Sequence, residues 1–214
     1  TPVYPASCMG HTILFICTGN VCRSPMAEGL FRDLVEKNDA DFDVKSAGVG
    51  AQDGQPPSEN SVRAMQDLGI DITSQRSQML TAELAAEADM IIGMTQGHVE
   101  MVNLMYPQAA DKTFMLREFD ESLPLHEREI ADPIGGSYEI YCLCRNQIRE
   151  GIDSLLNSIK QNKGTAVGQA QPVVEIAFGS DHAGYKLKKV LIHYLEEKGI
   201  PVADFGCDSE DRTD

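Results

Sequence analysis

Basic residues are scarce in this chain. Against 33 Asp and Glu there are only 18 Lys and Arg, a formal net charge of −15 at pH 7. A surface of that sign makes nucleic acid and anionic membrane poor partners, and any phosphate the protein binds must be held by donors gathered locally. No run approaches the roughly 18 apolar residues of a membrane span, and no charged-then-apolar leader opens the sequence. Cysteine occurs six times but in neither a disulfide framework nor a zinc spacing: Cys17 and Cys22 share one loop, and Cys142 and Cys144 share one predicted helix. That usage reads as a reducing, cytoplasmic compartment. Cys8 and Cys207 carry no functional expectation.

What is present is concentrated in CTGNVCRSP, Cys17 to Pro25. The block Thr12 to Ile16 before it is apolar and β-branched, a buried strand. Behind it, Ser24 is suited to a helix N-cap and Pro25 to a first helical turn. Strand, tight loop and helix N-terminus turn successive backbone N–H groups into one concavity at the positive end of a helix dipole, which is an anion site. Gly19 and Asn20 are residue types that tolerate the left-handed backbone such a curl needs. Cys17 would face the same amides, which favour thiolate over thiol and make the sulfur a nucleophile. Arg23 returns to the concavity with a planar fork matched to two phosphoryl oxygens. Ser24 can donate its hydroxyl to the sulfur as that sulfur leaves. Attack on phosphorus needs a proton donor for the leaving group, and Asp132, in DPIGG, is the candidate general acid.

At 214 residues the chain can hold one full α/β domain and something smaller. Residues 1–10 read as a tail. Apolar spacing predicts a helix from Met26 to Lys37 and a strand at Phe42 to Val44. Ser58, Thr81 and Thr95 read as caps of helices reaching Leu68, Glu87 and Tyr106, with a strand at Met90 to Met94 between the last two. His98 reads as a surface residue, and Arg76 as a loop residue of open role. A fourth strand is predicted over Lys112 to Phe119 and a closing helix over Ser137 to Lys160. Alternating strands and helices argue for a parallel sheet covered on both faces, with ligands beyond the carboxyl ends of its strands.

CTGNVCRSP followed by MAEGLF, SAG at Ser46 to Gly48 and DPIGG at Asp132 together resemble the low-molecular-weight protein tyrosine phosphatase family, over residues 11–160. The resemblance implies a flavodoxin-like, doubly wound, four-stranded parallel α/β fold. It implies Cys17 as nucleophile, Arg23 as phosphate clamp and Asp132 as general acid, with Asn20 and Ser24 organising the loop. Thr18, Gly19, Asn20, Val21, Cys22 and Ser24 form the candidate phosphate- and substrate-binding set, and Ile134 stands beside it. The implied reaction passes through a cysteinyl phosphate on a phosphorylated protein substrate and needs neither cofactor nor metal. The loop from Gly48 to Pro57 would form one wall of the cleft. Cys22 is either a redox partner for Cys17 or packing beneath the loop.

Two features bear on the substrate. Family members acting on phosphotyrosine generally carry a bulky aliphatic residue after the cysteine and aromatic residues around the cleft, whereas Thr18 follows Cys17, the wall loop has no aromatic and Ile134 follows Asp132-Pro133. Thr18 with DPxGG resembles the bacterial protein arginine phosphatases, although an aromatic usually stands where Ile134 does. Phosphoarginine is favoured over phosphotyrosine. Thiol-coupled arsenate reductase is an alternative that would need further cysteines near the cleft, and Asp89 to Leu104 has none. A noncatalytic phosphate-binding module would not need Cys17, Arg23 and Asp132 together.

Residues 161–172 are small, polar and glycine-containing, a linker. From residue 173 onward a strand, the loop GSDHAG, a helix and a second strand make one β-α-β unit. GSDHAGYKLKK followed by DFG resembles the opening of the ribose 5-phosphate isomerase B and galactose 6-phosphate isomerase family, which implies sugar contacts by Asp181 and His182. A lone β-α-β unit leaves both sheet edges open, so this segment is expected to be either the truncated start of an isomerase-like domain or poorly ordered, and without isomerase activity of its own.

Overall fold

The computed structural model describes residues 11–37, 42–164, 176–178, 188–193 and 202–204. These fall into two units, divided after residue 166.

In the first unit strands and helices alternate: β1 (His11–Cys17), α1 (Arg23–Lys37), β2 (Phe42–Gly48), α2 (Glu59–Gln66), α3 (Ala82–Glu87), β3 (Met90–Gly93), α4 (Gln96–Met105), β4 (Thr113–Met115) and α5 (Tyr138–Gly164). The strands form one parallel sheet in the order β2-β1-β3-β4. β1 pairs on both sides, with Cys17 level with Gly48 of β2 and Ile16 level with Gly93 of β3. Its residues Ile13 to Ile16 are wholly buried, which is why the strand reads as an unbroken apolar run. Alternate side chains feed two cores. Ile13 and Phe15 pack with Met26 and Phe31 of α1 and Ile148 and Ile152 of α5, while Leu14 and Ile16 pack with Leu80, Ala85 and Val102. Gly29 brings α1 close to the chain after α2: a Cβ there would lie 2.6 Å from Ile72 Cγ2 and 3.2 Å from Met65 Cε.

Ser58, Thr81 and Thr95 cap α2, α3 and α4, accepting from the amides of Ser61, Leu84 and His98. Among the boundaries that differ from the sequence reading, three bear on the site and the linker. Helix α1 begins at Arg23, two residues before the position implied by a Ser24 cap, with Met26 N–H donating to Cys22 C=O. The fourth strand stops at Met115, because Glu118 folds back to accept from the Met115 amide at 2.8 Å and a 3₁₀ turn over Leu116–Phe119 follows. Helix α5 continues to Gly164, so residues 161–164 of the expected linker are helical. The remainder of that linker and residues 1–10, with Cys8, lie outside the described residues.

In the second unit β5 (Ile176–Phe178) runs parallel to β6 (Val202–Asp204), with Ile176 level with Val202, and residues 188–193 between them are helical. Asp181, His182 and Cys207 lie outside the described residues.

Candidate active site

Cys17 ends β1 and Arg23 begins α1, so five residues reverse the chain between the carboxyl end of a strand and the positive end of a helix. Asn20 takes the left-handed conformation that this reversal needs, with φ 53°, and its amide donates to Cys17 Sγ at 3.3 Å. Ser24 Oγ lies 3.0 Å from the same sulfur. Its hydroxyl thus lies within α1, between the sulfur and the Ala47 carbonyl, and does not cap the helix.

A buried polar network holds the loop from below. The Asn20 amide group donates to Ser24 Oγ and to Ser46 Oγ, both at 2.9 Å, and its carbonyl accepts from the Gln78 amide at 2.9 Å. Gln78 Nε2 donates to the Ser46 carbonyl, and Ser46 Oγ donates to Glu28 Oε2. Because Ser24 accepts from Asn20, its own proton is available to the Cys17 sulfur at 3.0 Å or to the Ala47 carbonyl at 3.4 Å. Val49 and Gly50 amides donate to the Cys17 and Thr18 carbonyls, which stitches the expected wall loop to the cysteine loop. Gly48 permits that approach, since a Cβ there would stand 2.4 Å from the Thr18 carbonyl oxygen.

Arg23 is 4% exposed. Its Nη1 donates to the Ile130 carbonyl at 3.1 Å, its Nη2 is ion-paired with Asp132 Oδ2, and its Nε is buried without a partner. The Asp132 loop is anchored at the end of β3, where the Ile130 amide donates to the Met94 carbonyl. Within it, Ile134 N–H donates to Asp132 Oδ1, and Gly135 at φ 76° with a Gly136-to-Pro133 bond closes a turn. The structure thus brings Cys17, Arg23 and Asp132 to one place from three segments. Ile134 projects outward, 65% exposed.

The expectation for His98 is corrected: it is buried, 5% exposed, beside the loop. Its Nε2 lies 3.1 Å from Thr18 Oγ1 and its Nδ1 lies 2.8 Å from Thr95 Oγ1. Burial, with a further push from the Arg23 charge, lowers its pKa to about 4 against the opposing charges of Asp132 and Glu129, so the ring is neutral at pH 7. A topological signal was available, because α4 starts at the carboxyl end of β3, next to β1.

Cys22 faces the core. Its thiol donates to Ser58 Oγ at 3.4 Å and sits 3.5 Å from the Tyr141 hydroxyl. Cys144, on the α5 helix that it shares with Cys142, packs in the same buried cluster as Cys17 and Cys22. Burial pushes the Cys144 thiol up to about 12, which leaves it inert. Val21 accepts the Ser58 amide through its carbonyl, and a Cβ on Gly19 would stand 3.7 Å from Val21 Cγ2, an ordinary contact. Arg76 turns to carbonyls of its own loop, those of Thr73 and Gln75. Among the described residues no group of three His, Cys, Asp or Glu is placed to hold a metal ion, and no helix is long and apolar enough to cross a membrane.

Comparison with known proteins fits this geometry. Residues 12–165 match the family model described as low molecular weight phosphotyrosine protein phosphatase, and residues 176–214 match one described as ribose/galactose isomerase. A protein-arginine-phosphatase of Geobacillus stearothermophilus is 38% identical over 71% of this chain and 98% of its own length. A probable low molecular weight protein-tyrosine-phosphatase, EpsP of Ralstonia nicotianae, is 33% identical over 71% and 98%. Among solved structures, the YwlE arginine phosphatase of Geobacillus stearothermophilus superposes with a TM-score of 0.66 at 35% identity, covering 75% of this chain and 99% of its own. A YwlE mutant carrying a phosphorylated active-site serine gives 0.66 at 33%, covering 72% and 98%. The shared architecture is the flavodoxin-like, doubly wound α/β fold. A match across the whole first unit, with relatives above 30% identity along nearly their full length, makes this chain a member of the low molecular weight phosphotyrosine protein phosphatase family.

Proposed function

We propose that the first unit hydrolyses phosphorylated protein side chains, with Cys17 as nucleophile, Arg23 as phosphate clamp and Asp132 as general acid. The observation that carries this reading is the Arg23 guanidinium, held between the cysteine loop and the Asp132 carboxylate with Nε still unpaired. An entering phosphoryl group would take the Nε and Nη2 edge as a bidentate partner, together with the loop amides. It would displace Asp132 from Nη2 and leave that carboxyl to carry a proton. Cys17 sulfur then attacks phosphorus in line, the bond to the leaving atom breaks, and that atom takes the proton from Asp132. The product is a cysteinyl phosphate. Water attacks it with Asp132 now accepting a proton, and the sulfur departs as thiolate with the Ser24 hydroxyl donating to it.

For the substrate, phosphoarginine is the reading we favour and phosphotyrosine the alternative. Thr18 at the mouth, a wall loop without aromatic rings and the arginine-phosphatase names of two relatives support it. Thr18, Gly19, Asn20, Val21, Cys22 and Ser24 are the proposed binding loop, with Ile134 as an apolar wall. The cysteine usage supports a reducing compartment. The test is hydrolysis of a chromogenic aryl phosphate with loss of at least about 10³-fold in Cys17→Ser. Comparison of kcat/KM for phosphoarginine and phosphotyrosine peptides, with Thr18→Ile beside the parent, then decides the substrate. A preference for phosphotyrosine that Thr18→Ile leaves untouched would remove the arginine reading.

A further inference from the structure

His98 is buried beside the cysteine loop, and the chemistry just set out gives it no part. Both ring nitrogens are nevertheless engaged, Nδ1 with Thr95 Oγ1 at 2.8 Å and Nε2 with Thr18 Oγ1 at 3.1 Å. The ring cannot readily swing away. Thr95 caps α4 over the His98 amide, and the site of a Cβ on Gly93 lies only 3.1 Å from His98 Cβ. Thr18 itself is exposed, so one side of its hydroxyl meets His98 while the other faces solvent at the mouth.

A neutral imidazole has one N–H donor and one bare nitrogen acceptor. With the proton on Nδ1, Thr95 accepts from the ring and bare Nε2 accepts the Thr18 proton. The Thr18 oxygen then turns its lone pairs outward, as acceptors. With the proton on Nε2, Thr18 must accept from the ring and its own proton points outward, as a donor. The surroundings choose between these. Nε2 is the nitrogen directed at the loop, where amides converge at the positive end of α1, and of the charges facing the ring Arg23 acts more strongly than Asp132 or Glu129. The first amides of α1 and the Arg23 guanidinium each favour a bare nitrogen on that side, against the two carboxylates.

We propose that His98 is a positioning residue that holds the Thr18 hydroxyl with its lone pairs toward the cleft, and so selects leaving groups that present N–H donors, such as a guanidinium. The inference rests on the phosphatase reading and deepens its substrate preference. An ester oxygen of phosphotyrosine offers no donor to those lone pairs and gains nothing from them. A guanidinium offers several.

The test has two parts. In the unmodified protein, imidazole nitrogen NMR shifts should show Nδ1 protonated and Nε2 bare; a protonated Nε2 would overturn the proposal whatever the enzyme hydrolyses. In kinetics, His98→Asn keeps an amide near Nδ1 but cannot reach Thr18, whereas His98→Gln can place its amide near Nε2. The ratio of kcat/KM for phosphoarginine over phosphotyrosine peptides should fall about fivefold in His98→Asn, chiefly through KM. His98→Gln should recover part of it, and in a Thr18→Val background His98→Asn should leave the ratio unmoved. Equal slowing of both substrates, a rise in the ratio or an undiminished effect in Thr18→Val would overturn it. Failure of the parent to hydrolyse the aryl phosphate would instead bring down the phosphatase reading, and the kinetic half of this proposal with it.

Discussion

Arg23 and Asp132 are bound to one another in the free site, the buried guanidinium giving Nη2 to the carboxylate while Nη1 holds the Ile130 carbonyl. The carboxylate therefore occupies part of the edge that a phosphate would use. A phosphate bound there as proposed would compete with Asp132 for one cation.

Asp132→Asn removes that competition along with the proposed acid. We expect kcat to fall about 10²–10³-fold on substrates with poor leaving groups and much less on an activated aryl phosphate. Inorganic phosphate should at the same time inhibit more tightly, because Arg23 no longer spends charge on a carboxylate. Steady-state kinetics with phosphate as competitor checks both, and an unchanged inhibition constant would mean that the ion pair does not oppose binding.

Asn20 combines a left-handed backbone with three side-chain hydrogen bonds, to the buried Ser24 and Ser46 and to the half-buried Gln78. Asn20→Ala strands those partners and puts an alanine at φ 53°, so a loss of about 2–4 kcal/mol is expected by urea denaturation. Asn20→Gly should regain roughly 1 kcal/mol of it by relieving the backbone alone. If both variants were as stable as the parent, the network would not be what shapes the loop.

His98 makes stability depend on pH. Its folded pKa of about 4 lies below the ordinary 6.5, so the unfolded chain binds the proton first and the folded state loses ground as pH falls through 6.5 toward 4. One-site linkage puts that loss at roughly 2 kcal/mol between pH 7 and pH 5. His98→Gln should flatten this part of the profile of urea midpoints against pH. Equal slopes in the two proteins would argue against a buried neutral ring.

Much of this site could be read from the residues because its parts are local. Cys17, Asn20, Arg23 and Ser24 lie within one turn-and-helix signature, and the caps Ser58, Thr81 and Thr95 announce themselves by residue type. What escaped was the partners supplied by neighbouring strands. Ser46, Gln78 and His98 reach the loop only because β2 and β3 flank β1, and a polar residue on a helix looks solvent-facing until the strand order is known. The early end of β4 was hidden for a similar reason, since Phe114 and Phe119 suit a strand and only the return of Glu118 breaks it. Helix α5 outran its prediction because residues 161–164 have no apolar face to mark their conformation.

Gly29 sits less than two turns from the start of α1, on the flank away from any substrate. Without a side chain there, the helix settles directly onto Ile72, one of the contacts that set its axis. The direction in which the first amides of α1 point thus depends in part on packing outside the cysteine loop. A wedge inserted between Gly29 and Ile72 would misaim the proposed anion-binding loop while leaving each of its chemical groups intact.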